Sequence, residues 1–150
     1  MTDNQANKQS VIAHLVCDNA AEALSYYCET FGGREAMRLT DKQGHLAHGC
    51  FFIGDSAVFI CDDYAGCQDN QALQNAVSRI TLHLNVEDVD AAFDKAVSAG
   101  CEPVMAPEDM FWGDRYAKVR DRWGHEWAMA RTVREVDPAS LQDTLDKMTF

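Results

Sequence analysis

Six side chains in this sequence combine reactive chemistry with positions that a sheet could gather: His14, Cys61, His83, Trp112, Arg115 and Glu126. His14 and His83 are polar residues inside short apolar runs, and an imidazole so placed can anchor a ligand, move a proton or hold a metal. Both uses stay open: a pocket-lining hydrogen-bonder fixed by a neighbouring carbonyl, or a catalytic group. Glu126 could serve as a general base, yet no second member of such a pair is visible. If half-buried it needs a partner, because a lone buried carboxylate takes up a proton. Cys61 stands at a strand end, where a nucleophile could sit. Asp62 and Asp63 follow it, and nearby negative charge disfavours the thiolate, so an inert thiol is expected. Trp112 and Arg115, on a loop at a cleft mouth, suit a planar or anionic ligand. The alternative is that Arg115 pairs locally with Asp114 or Asp121. His48 and His125 read as caps of hairpin ends, and His45 as solvated.

The elements that carry these residues are written twice. His14-Leu15-Val16-Cys17-Asp18 and His83-Leu84-Asn85-Val86-Glu87-Asp88 are each a short strand ending in an acidic turn, followed by an Ala-rich stretch and then glycine. His83 follows His14 by 69 positions, Gly100 follows Gly32 by 68, and Gly124 follows Gly54 by 70. A near-constant offset of about half the chain is the mark of internal duplication. In the first copy Ala21, Leu24, Cys28 and Phe31 have helical spacing, Asn19 with Glu22 forms a capping box, and Gly32 ends the helix. In the second, Val89, Ala92, Phe93, Ala96 and Val97 make the stripe, Asp88 is the N-cap and Gly100 the stop.

Three strand-like runs follow each helix. In the first copy they are Arg34–Thr40, His45–Ile53 and Ser56–Cys61, with Gly54-Asp55 as a two-residue turn. In the second, Tyr116–Arg120 and His125–Arg131 turn at Asp121–Gly124, and the strand before them, near Pro103–Met105, is weak. Module one is placed at about 10–62, a linker at about 63–78 with a helical turn at Gln71–Val77, and module two at about 79–132. Asp137-Pro138 begins a C-terminal helix at about 137–148, with Leu141, Leu145 and Met148 on one face.

Alternation assigns the faces. Leu82 and Leu84 should be buried beneath the helices with Trp127 and Met129, leaving Thr81, His83 and Asn85 on the other side with Glu126, Ala128 and Ala130. Subtracting 69 puts Ile12, His14 and Val16 on the matching face of the first copy, with Ala57, Phe59 and Cys61. A mostly apolar surface with a few polar groups is what small-ligand sites use.

Length and composition agree with one α+β domain. A chain of 150 residues can bury a core without staples. The net charge of −11 argues against nucleic acid or an anionic membrane as partner. No apolar run approaches membrane-spanning length, and the first ten residues lack the core of a signal peptide. Six cysteines without a C-x-x-C pair, most inside apolar segments, fit a reducing compartment, so a cytoplasmic location is expected.

Five stretches carry a family resemblance: Asp18–Gly33 (DNAAEALSYYCETFGG), His48–Ser56 (HGCFFIGDS), Val86–Asp90 (VEDVD), Phe111–Tyr116 (FWGDRY) and Val119–Trp127 (VRDRWGHEW). With them the chain resembles the vicinal oxygen chelate superfamily, in its glyoxalase/bleomycin-resistance branch, and most closely the PhnB-like group. Arg122 departs from the proline usual there. The resemblance implies two tandem β-α-β-β-β modules forming a U-shaped mixed sheet around a cleft. It also implies a homodimer, with modules paired within a chain or swapped between chains.

Metal-dependent relatives would place their ligands at Ile12, Phe59, Thr81 and Ala128. Hydrocarbon side chains and one hydroxyl cannot replace the imidazoles and carboxylates that such a site needs, so no metal or other cofactor is expected. A displaced set of His14, His83 and Glu126 is the alternative. If Thr81 and Ala128 stand level, His83 and Glu126 are four residues apart along the strands, or roughly 13 Å, too far for one ion. Three functions follow: a metal-free protein binding a small molecule through His14, Phe59, Cys61, Thr81, His83, Trp112, Arg115 and Glu126; a lyase, isomerase or dioxygenase-like enzyme using the displaced set; or a homodimeric module with no active cleft. No catalytic residue is assigned.

Overall fold

The computed structural model describes residues 8–64 and 78–148. The chain divides into two compact units, Met1–Ala76 and Val77–Phe150. The helical turn expected at Gln71–Val77 lies outside the described residues.

Unit 1 contains β1 (Ala13–Cys17), α1 (Ala20–Phe31), β2 (Arg34–Thr40), β3 (Leu46–Ile53) and β4 (Ser56–Asp62). Unit 2 repeats the order with β5 (Thr81–Asn85), α2 (Val89–Ser98), β6 (Glu102–Asp109), β7 (Asp114–Arg120) and β8 (Glu126–Thr132), and ends in α3 (Pro138–Asp146). The sheets run β1-β4-β3-β2 and β5-β8-β7-β6. In each, the first strand lies parallel to the last and the other pairs are antiparallel. These are the paired β-α-β-β-β modules of an α+β fold.

The start of α1 differs from the expected capping box. Asn19 takes a left-handed backbone, φ 54°, and its side chain makes no cap hydrogen bond to the helix. Its amide donates instead to the Glu22 carboxylate at 2.8 Å. The helix end is satisfied from a distance. Asp62, at the end of β4, accepts from the backbone N–H of Ala20 at 3.1 Å and of Leu46 at 2.6 Å. One buried carboxylate thus ties the first turn of α1 to the start of β3, supplying an acceptor that the open helix end requires. Asp88 behaves as read, accepting from the Ala91 N–H at the start of α2.

Helix α1 buries Ala20, Ala23, Leu24 and Tyr27, and Tyr27 stacks on Phe51 at 5.9 Å between ring centroids. Gly49 permits this approach. A Cβ there would meet the Ile60 side chain at 2.9 Å and Leu24 at 3.3 Å. The matching core of unit 2 holds Val89, Ala96, Ala117, Val119, Trp127 and Met129. The Trp127 indole donates to Asp121 at 2.9 Å, so the ring is buried without stranding its N–H. Asp121 also accepts from the Trp123 and His125 amides, and Asp41 does the same for Gln43 and His45. Both D-x-x-G-H hairpins therefore turn by the same side-chain device, with Gly44 and Gly124 at φ 89° and 90°.

Two expectations need correction. Leu82 and Leu84 are half-buried, because α2 lies over β6, β7 and β8 while β5 forms the sheet edge. β6 is a full eight-residue strand, not a weak one. It is an edge strand with register shifts beside Pro103 and Met105, and edges and bulges are where a strand tolerates proline. Helix α3 buries none of its residues; Leu145 and Met148 are exposed. No helix among the described residues is long and apolar enough to cross a membrane.

Candidate functional site

The side of each sheet opposite its helix collects most of the reactive side chains. In unit 1, Leu15 and Cys17 are buried toward α1 while His14 and Val16 are exposed. Parallel pairing sets His14 beside Phe59 and Val16 beside Cys61, and the antiparallel pair Cys50 and Phe59 extends the same face. Cys50, Phe52 and Ala57 form its buried floor, with Ile12, Ala36, Met37 and Phe59 packed against them. His48 belongs here too. It is a residue of β3, not a hairpin cap, and its ring lies 4.9 Å from Phe59 and 6.4 Å from His14. Burial, then the Asp62 and Asp63 carboxylates, push the Cys61 thiol up, which leaves it a poor nucleophile.

In unit 2 the register pairs Thr81 with Glu126, His83 with Ala128, and Asn85 with Ala130. Across β8, Arg120 faces Glu126, Lys118 faces Ala128 and Tyr116 faces Ala130. Ala128 and Ala130 have no accessible surface. The His83 and Tyr116 rings lean over them, 6.1 Å apart, and Trp112 stands 5.8 Å beyond Tyr116.

Glu126 is buried and committed. Arg120 donates to it at 2.9 Å and Thr81 at 3.4 Å, and the Lys118 ammonium stands 3.7 Å away. The Arg120 hydrogen bond holds its carboxyl below the ordinary carboxylate range. A base so tightly held as an ion is a weak proton acceptor. Arg120 also reaches Glu102 at 3.3 Å, and its Nε is buried without a hydrogen-bond partner among the described residues.

The register corrects the expected heights. Thr81 is level with Glu126, not Ala128, so His83 and Glu126 are two residues apart along the strands, roughly 7 Å. Height alone therefore does not separate them; the commitment of Glu126 to Arg120 does. No group of three His, Cys, Asp or Glu side chains among the described residues could hold a metal ion. The positions at which the family resemblance implies ligands, Ile12, Phe59, Thr81 and Ala128, present two hydrocarbons, a methyl group and the Thr81 hydroxyl, which already donates to Glu126. These donors do not fit a divalent ion.

Arg115 lies elsewhere. It is a β7 residue two before the buried Ala117, on the helix side, and it pairs with neither Asp114 nor Asp121. Its guanidinium donates to both Asp90 oxygens, at 2.7 Å from Nη2, and to Asp109 at 3.0 Å. These bonds raise the Arg115 pKa and hold Asp90 below its usual value. Trp112 donates to Asp114 at 3.2 Å and stays partly exposed.

Comparing registers aligns the two faces position by position. His14 and His83 are equivalent, but Ala57 is matched by Glu126, Phe52 by Arg120, Cys50 by Lys118 and Phe59 by Ala128. A hydrocarbon floor in one copy is an ionic cluster in the other. Tyr116, Lys118 and Arg120 escaped sequence reasoning, although their alternation with Ala117 and Val119 was a readable signal.

Each unit also has a recess at the start of its helix. One of about 600 Å³ is lined by Asp18, His45, Asp62 and Tyr64, among others. The other, of about 440 Å³, is lined by Asp88, Asp90, Arg115 and Arg131, among others. Asp62 and Arg115 are already spent there on structural bonds.

Known proteins resemble this chain in sequence or fold. An uncharacterized protein of Mycobacterium bovis is 38% identical over 132 residues, covering 86% of this chain and 87% of its own. The crystal structure of TioX from Micromonospora sp. ML1 superposes with a TM-score of 0.64 at 24% identity, over 83% of this chain and 98% of that one. A PhnB protein from Bacillus cereus, described as a putative 3-demethylubiquinone-9 3-methyltransferase, gives 0.66 at 16% identity, over 81% and 98%. At those identities the structures speak for the fold alone. The family model of the Glyoxalase/Bleomycin resistance protein/Dioxygenase superfamily matches residues 9–129, which takes in the first duplicated module and all but the end of the second, and the chain belongs to that superfamily.

Proposed function

We propose that this protein binds a small molecule against the helix-free faces of its sheets and holds no metal of its own. One observation carries the reading. The equivalent residues His14 and His83 stand on those faces among rings and small apolar side chains, and neither imidazole makes a hydrogen bond among the described residues. A few uncommitted polar groups on an apolar surface are what ligand sites use. A melting-temperature screen against a chemically diverse set of small molecules tests it. A concentration-dependent rise with at least one compound is expected; no rise with any would favour a module without an active cleft.

The competing reading is a metal-dependent lyase, isomerase or dioxygenase-like enzyme using His14, His83 and Glu126. The two-residue offset between His83 and Glu126 favours it, and the ties of Glu126 to Arg120, Thr81 and Lys118 oppose it. Elemental analysis of protein purified without chelator separates the two. Far less than stoichiometric Zn, Ni, Mn or Fe is expected, and stoichiometric metal lost in His83→Ala would establish the enzyme reading instead.

We also propose a cytoplasmic homodimer. The free cysteines among the described residues suit a reducing compartment. Val11 and Ile80, at equivalent positions before β1 and β5, are 84% and 72% exposed, and such apolar surface calls for cover. Sedimentation at micromolar concentration should show a dimer; a monomer would refute it.

A further inference from the structure

The cation that faces the site is not the one expected. Arg115 is spent on Asp90 and Asp109 on the helix side, whereas Lys118 projects from the helix-free face of unit 2. Its side chain is only 25% exposed, and among the described residues its one ionic partner is Glu126 at 3.7 Å, beyond hydrogen-bonding reach. Glu126 takes its close hydrogen bond from Arg120 at 2.9 Å. Lys118 therefore keeps three donors free of hydrogen bonds, in a cluster where it and Arg120 balance Glu126 and Glu102.

Two further donors stand beside it. Tyr116 is two residues away on the same face of β7, and His83 is level with Lys118 across Ala128. Neither the Tyr116 hydroxyl nor the His83 ring makes a hydrogen bond among the described residues, and neither is among the side chains sealed from solvent without a partner. The walls are flat: the rings of His83, Tyr116 and Trp112 follow one another at 6.1 and 5.8 Å. The carboxylates beside this face are Glu126 and Glu102, both bound to Arg120, Asp114, which accepts from Trp112 and Thr132, and Glu108, exposed on the edge strand opposite Tyr116. In a chain of net charge −11, a mostly covered ammonium that makes no hydrogen bond among the described residues is not general surface charge.

Resting on the small-molecule reading, we propose that this face selects a planar organic anion. The ligand is a carboxylate on an aromatic or conjugated ring, with Lys118 as its counter-charge and Tyr116 and His83 as further donors. The apolar equivalents of unit 1, Cys50 in place of Lys118 and Phe52 in place of Arg120, lack this selectivity.

The test is calorimetric titration of the intact protein with benzoate and with benzamide, its uncharged isostere, at one ionic strength. Benzoate should bind about tenfold tighter or more, as a charge-assisted contact implies. Lys118→Met should erase the difference while benzamide binding stays, and Lys118→Arg should restore part of it. Equal affinity of the native protein for both probes, or a preference that survives in Lys118→Met, would overturn the proposal. Either result leaves small-molecule binding itself standing. Failure of both probes to bind also overturns it, while the melting-temperature screen decides the broader reading independently. Should Lys118→Met fail to fold, Tyr116→Phe reads the same preference and is expected to reduce it several-fold.

Discussion

His83 and Tyr116 belong to strands that do not touch, yet their ring centroids lie 6.1 Å apart. Between them runs β8, and the pairs His83 with Ala128 and Tyr116 with Ala130 show why the rings can meet. Only methyl groups stand in the gap. Adjacent strands lie about 4.8 Å apart, so the two backbones are separated by roughly 10 Å, a span that the two rings close above the alanines. The equivalent of Ala128 in unit 1 is Phe59, and there the rings of His14 and His48 pack around it.

Ala128→Leu should crowd the floor beneath His83 and Tyr116. Ala128 is fully buried, so the added carbons must displace neighbours, at about 1–3 kcal/mol. Urea denaturation should show that loss, and binding of any small molecule found by the screen should weaken. A variant as stable as the native protein, with affinity unchanged, would show that the two rings do not depend on the small residue between them.

Asp62→Ala should destabilise unit 1 by about 2–4 kcal/mol, because two backbone N–H groups, of Ala20 and Leu46, lose a charged acceptor together. Hydrogen exchange at those two amides should accelerate more than at Ala91, whose acceptor is Asp88. Equal acceleration at all three would contradict the assignment of Asp62 as the cap.

Glu126 gives a pH signature. Its folded pKa lies below the ordinary 4.5, chiefly through the Arg120 hydrogen bond. A group depressed in this way stabilises the fold fully above its unfolded pKa, and the contribution disappears as pH falls through the folded value. The stability difference between native protein and Glu126→Gln should thus be constant near neutrality and shrink as the pH drops below about 4.5. A difference that grows in acid would mean the carboxyl is destabilised as an ion.

Local signals in the sequence carried most of the fold. The 69-residue offset between His14 and His83 and the alternation of Thr81–Asn85 located both modules and the faces of their strands. What escaped depends on contacts between residues far apart in the chain. Asp62 caps a helix that begins 42 residues earlier, so the local pair Asn19 and Glu22 looked like the cap. Arg115 appeared free to meet a ligand because Asp90, its partner, lies 25 residues away. The level of Glu126 against Thr81 is a property of the register, and alternation fixes a face without fixing a height. Prolines at 103 and 107 masked β6, since propensity reads them as breaks where an edge strand accepts them.

On the proposed reading, ligand binding belongs to the helix-free faces and not to the helix side. Calorimetry of the strongest compound from the melting-temperature screen, with native protein, His83→Leu and Arg115→Met, tests it most directly. His83 lies on the helix-free face, whereas Arg115 is tied to α2 through Asp90. A loss of about tenfold or more in affinity is expected for His83→Leu and a change below about twofold for Arg115→Met. Affinity lost in Arg115→Met and kept in His83→Leu would contradict it, and would move the site to the recess at the start of α2.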